Sequence, residues 1–114
     1  RGIMTAIQLN LYVEAGATYS RSLVYTNDNG SVFDLTGYTA ELQVRESASS
    51  PTAKLTVFPT IEVDTGTIAW EFTAVQTASL ANELYVYAME LYGPDDLVIR
   101  LIQGAVTVSP EVVR

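Results

Sequence analysis

The segment Ile7-Gln8-Leu9-Asn10-Leu11-Tyr12-Val13 alternates apolar and polar residues without a break, and this period of two constrains the fold more than any other feature of the chain. It puts Ile7, Leu9, Leu11 and Val13 on one face and Gln8, Asn10 and Tyr12 on the other, the pattern of a half-buried strand. The same period returns in Ala40–Arg45 and in Thr67–Phe72, where Ile68, Trp70 and Phe72 share a face. Thirteen Val, six Ile and thirteen Thr supply the β-branched residues that pack well on a pleated surface.

Further strands are expected over Thr18–Thr26, Lys54–Val57, Thr60–Val63, Leu84–Tyr92, Leu97–Ile102 and Ala105–Val108. Asn27-Asp28-Asn29-Gly30, Asp64-Thr65-Gly66 and Gly93-Pro94-Asp95-Asp96 supply turn residues that tolerate positive φ, so neighbouring strands are expected to be mostly antiparallel. The one expected helix is Thr73–Leu80, with Thr73 as cap, Gln76 three residues on, and Val75 and Leu80 directed at the core. Glu46–Ala53, rich in serine, reads as an exposed loop. The expected fold is all-β: an antiparallel β-sandwich of immunoglobulin-like character, with about nine short strands and one short helical turn. The 114 residues suffice for one domain, expected over residues 4–114. Arg1-Gly2-Ile3 precede Met4, the natural start of translation, and are expected to be left over from cloning.

What the chain lacks narrows its chemistry. It has no His and no Cys, which removes Ser-His-Asp and Cys-His nucleophilic sites, zinc sites with nitrogen or sulfur ligands, and disulfides. An enzyme is not expected, nor is any cofactor. Thirteen acidic residues face six basic ones, and Lys54 is the only lysine, so no basic stripe exists to bind nucleic acid or an anionic membrane.

Leu84–Tyr92 and Leu97–Ile102 are apolar on both faces. If each is one-sided, Val86, Ala88, Val98 and Ile102 face outward together with Leu84 or Tyr92, a patch that monomers usually avoid and a partner would cover. Glu90 and Arg100 are expected on the same face as a cross-strand pair. Tyr12, on the polar side of its strand, reads as an interface tyrosine. In Phe33-Asp34-Leu35-Thr36-Gly37-Tyr38, Asp34 or Thr36 accepts hydrogen bonds from nearby backbone N–H groups and Gly37 supplies an unusual backbone angle. The result is a compact corner with Leu35 turned inward.

That corner, followed by Leu42-Gln43-Val44-Arg45, resembles the Asp-Leu-Thr-Gly-Tyr run and alternating strand of small β-sandwich proteins from tailed bacteriophages. Gly66-Thr67-Ile68, Gln76–Leu80, Leu84–Tyr87 and Gly104–Val112 continue the likeness, which covers most of the chain from about Leu23. It implies a virion structural module of the kind that attaches fibres or receptor-binding proteins to a tail or baseplate, assembled in the host cytoplasm as a homo-oligomer with other virion proteins. A capsid decoration protein is the alternative within the virion. Ala88 departs from the pattern, where an acidic residue is expected after the tyrosine, and leaves that face more apolar.

Two other readings compete. Asp95 and Asp96 with Asp64 or Asp28 offer oxygen ligands, but no calcium-loop pattern is present, and solvated turns account for them better. A carbohydrate-binding module would stack sugars on exposed rings; Trp70 is expected in the core instead, which leaves Tyr12 as its candidate platform.

Overall fold

The structure is a computed structural model and describes residues 6–112; Arg1–Ile3 and Met4 lie outside them. Among the described residues the strands are β1 (Ile7–Gln8), β2 (Leu11–Glu14), β3 (Tyr19–Val24), β4 (Thr39–Arg45), β5 (Leu55–Val57), β6 (Thr60–Glu62), β7 (Thr67–Phe72), β8 (Leu84–Tyr92) and β9 (Val98–Ser109), with a short helix α1 (Ala74–Ala78) between β7 and β8. A larger sheet has the order β1-β9-β8-β4-β5, with β2 also pairing β9, and a smaller sheet runs β3-β7-β6. The two pack face to face over Leu42, Val44, Ile68, Trp70, Phe72, Met89 and Leu91. This is the expected all-β sandwich of two packed sheets.

Two details depart from a purely antiparallel scheme. β1 and β2 run parallel to β9, in the register Ile7↔Ile102 and Leu11↔Val106. The expected continuous strand Ile7–Val13 is also interrupted at Leu9–Asn10. There the Leu9 carbonyl accepts a bond from the Tyr87 hydroxyl (2.6 Å), and Asn10 Oδ1 accepts the Ala105 N–H (3.0 Å). Gly104 makes room for this crossing, because a Cβ at that position would run into the Leu9 carbonyl oxygen. Ile7 lies on the sheet margin at 57% exposure, not in the core.

The helix forms as its capping residues dictate: Gln76 N–H donates to Thr73 Oγ1 (3.1 Å) and Thr73 N–H to Gln76 Oε1 (2.9 Å). Leu80 is buried, but Val75 is 81% exposed, contrary to expectation, because five helical residues turn only one side inward and Thr77 occupies it. The buried Thr77 hydroxyl donates to the Ala17 carbonyl (2.9 Å) and accepts the Gly16 N–H (3.0 Å), fastening the β2–β3 turn to α1. Tyr85, at the start of β8, accepts the Asn82 N–H on its hydroxyl (3.0 Å), which ties the chain entering β8 to the buried ring.

The segments Leu97–Ile102 and Ala105–Val108, expected as separate strands, form the single twelve-residue strand β9. Opposite it, Glu90 pairs with Arg100 but Met89 pairs with Ile102, so Leu101 is one residue too many. This β-bulge reverses the parity of everything after it. Ile99 and Leu101 face inward before the bulge, and Ile102, Val106 and Val108 face inward after it.

Candidate interaction surface

The outer face of the larger sheet is built in rows across the strands. Pairing of β4 with β8 sets Glu41 opposite Glu90, Gln43 opposite Ala88 and Arg45 opposite Val86; pairing of β8 with β9 sets Glu90 opposite Arg100, Ala88 opposite Gln103 and Val86 opposite Ala105. Small residues thus form the floor: Val86, Ala88 and Gly104 line a shallow groove of about 460 Å³ whose walls are Glu41, Gln43, Arg45, Glu90, Arg100 and Gln103.

Two hydrogen-bonded chains hold these walls upright. Along β4, Gln43 Nε2 donates to Glu41 Oε2 (2.8 Å), Arg45 Nη2 to Gln43 Oε1 (2.8 Å), and Arg45 Nη1 to the Ser50 carbonyl (2.8 Å). On the far wall Glu90 accepts the Tyr92 hydroxyl (3.0 Å) and pairs with Arg100 at 3.4 Å. Burial first, then its bond to Glu90 and the charges of Glu90 and Glu41, raise the Tyr92 phenol above its ordinary pKa. The directly opposed carboxylates Glu41 and Glu90 repel; Arg100 on one side and Gln43 on the other offset this.

Of the residues expected on this surface, Val86, Ala88, Glu90 and Arg100 converge on the groove. Val98 lies on the same face at its end, 54% exposed and paired in register with Tyr92. Ile102 does not belong: the bulge at Leu101 turns it inward and it is fully buried. Tyr12 shares the outer face but not the groove. It stands 69% exposed at the opposite end, where Thr107 separates it from the exposed Leu84. The surface is therefore polar in the middle and apolar at both ends. Glu41, Gln43 and Arg45 were recognisable as the outer side of an alternating strand, but their place beside β8 follows from sheet order, which periodicity does not encode.

The corner forms on Asp34. Its Oδ1 accepts the Thr36 N–H (3.0 Å), the Tyr38 N–H donates to the Leu35 carbonyl (3.0 Å), Gly37 has φ +81°, and Leu35 is fully buried. Bonds from the Thr36 side chain and backbone hold the Asp34 carboxyl below its usual pKa. Trp70 is only 3% exposed, so it is no platform for a ligand. Among the described residues no three acidic side chains come together as a cation site. Asp95 and Asp96, both at φ 60°, form a tight turn after Pro94. No protein-family model matches the chain, and no curated protein is similar to it in sequence.

Proposed function

We propose that the protein is a non-enzymatic structural module of a tailed-phage particle, in the tail, baseplate or fibre-attachment region, and that it joins other virion proteins through the outer face of its larger sheet. The observation that carries the surface is the arrangement of exposed Tyr12 and Leu84 at one end, Val98 and Tyr92 at the other, and a groove floored by Val86 and Ala88 between them. Apolar anchors around a bonded polar centre fit a protein partner, since interfaces combine buried aromatic and aliphatic contacts with fixed hydrogen bonds. The phage assignment itself rests on the likeness of the Asp34–Tyr38 corner and the segments after it to phage β-sandwich proteins.

The test is co-expression with the products of the genes flanking its own. Co-purification is expected, with loss in Ala88→Arg, which fills the groove, and weakening in Val98→Glu, at unchanged circular dichroism. Binding unaffected by either variant would remove this face from assembly. Exposed Tyr12 keeps a carbohydrate-binding reading testable on the same protein: saturable binding on a glycan array, lost in Tyr12→Ala, would replace the structural reading.

A further inference from the structure

Among the described residues the two sheets have four edges, and three of them are protected against pairing. β5 and β6 have three residues each, the second following Pro59, and the β1–β2 margin breaks at Leu9–Asn10. Short edges, prolines and interruptions are the devices that keep sheets from joining. β3 has none of them. It runs for six residues, Tyr-Ser-Arg-Ser-Leu-Val, with a single charge at Arg21, and among the described residues no strand pairs with it on the side away from β7.

The register says which groups that free side presents. Tyr25 N–H donates to the Gly66 carbonyl (2.9 Å), which makes Tyr25↔Gly66 a hydrogen-bonded pair. Antiparallel ladders alternate, so Leu23, Arg21 and Tyr19 also direct their backbone groups at β7, opposite Ile68, Trp70 and Phe72. Ser20, Ser22 and Val24 direct theirs outward, and their side chains are exposed.

We infer that this edge pairs with the same edge of a second copy, antiparallel, about a two-fold axis through Ser22. That axis sets Ser22 against Ser22 of the other copy and Ser20 against its Val24, so all three outward residues exchange bonds at once. It also sets Arg21 opposite Leu23, not opposite another arginine, so no like charges meet directly. The two three-stranded sheets then become one of six strands, β6-β7-β3 continuing into β3-β7-β6, which closes the interface as a dimer. This pairing is independent of the groove on the other sheet.

The test uses the absence of native cysteine. At the axis, the two copies of residue 22 stand about 5.5 Å apart between Cα atoms, within disulfide reach; the two copies of residue 20 stand four residues out of register, roughly 13 Å. Ser22→Cys is expected to cross-link on mild oxidation and Ser20→Cys not to. In sedimentation, Ser22→Pro removes an outward N–H that β7 does not use, and should weaken dimerisation about tenfold or more at unchanged circular dichroism. Equal cross-linking at both positions, or a wild-type monomer at every concentration, would overturn the pairing. So would a dimer that survives Ser22→Pro but is lost in Ala88→Arg. A chain that dimerises only after removal of residues 1–5 would assign the edge to its own N-terminus and overturn it too.

Discussion

β8 and β9 lie side by side and both are rich in apolar residues, yet only one of them keeps a single parity. In β8 the buried residues are Tyr85, Tyr87, Met89 and Leu91, every second position through nine residues. In β9 the inward set begins on odd positions with Ile99 and Leu101 and continues on even ones from Ile102. One extra residue at Leu101 makes the difference. An apolar run tells that a strand is buried, while the face of each side chain depends on where the ladder slips, and a doubly apolar sequence hides that place.

The sharpest way to break the comparison is to truncate two residues that unbroken alternation would put on one face. Ile102→Ala should destabilise the protein by about 2–5 kcal/mol, because it removes a fully buried side chain from a packed interior. Val98→Ala, at the exposed end of the same strand, should stay within about 0.5 kcal/mol. Equal losses in urea melts would mean that β9 has no bulge.

The same contrast explains what was legible before the structure. Where polar residues alternate with apolar ones, as in Ala40–Arg45 and Thr67–Phe72, the period fixed both element and face, and Trp70 and Leu35 are buried as expected. Capping at Thr73 and Gln76 was equally readable, because it depends on residues three apart. Long-range polar contacts left no such trace. Thr77 reaches Ala17 and Gly16 across some sixty residues of chain, and Tyr87 reaches Leu9 across seventy-eight. At the candidate surface, Glu90 and Arg100 were placed correctly because they precede the bulge, and Ile102 was misplaced because it follows it.

A second, smaller effect should come from the inner side of β8. Tyr87→Phe leaves the Leu9 carbonyl without the hydroxyl that it accepts from, and should cost about 1–3 kcal/mol. Burial, and next the neighbouring Tyr19, raise the Tyr87 phenol far above its ordinary 10.0. A raised folded-state pKa gives stability that is present below the unfolded value and lost as pH rises beyond it, since the unfolded chain then binds fewer protons than the folded one. Above about pH 10 the wild-type protein should therefore lose stability more steeply than Tyr87→Phe. Parallel pH profiles for the two proteins in urea melts would show that the phenol is not buried against Leu9.

The smallest expected effect lies on the outer side of the same two strands, at the last pair before the bulge. Glu90 and Arg100 stand opposite each other at 3.4 Å, but the arginine side chain is 57% exposed and the glutamate 30%. Water screens such a pair, and holding two long side chains together offsets part of the attraction, so a double-mutant cycle with Glu90→Gln and Arg100→Gln should give a coupling of about 0.2–1 kcal/mol. That coupling should shrink in 1 M salt, where the screening length falls to about 3 Å. Glu90→Gln also removes the repulsion from Glu41 across the β4–β8 pair, so its single-variant effect should fall below what loss of Arg100 alone produces. A coupling of several kcal/mol in the isolated protein would mean that this face is already covered, since only burial strengthens an ion pair of this geometry so far.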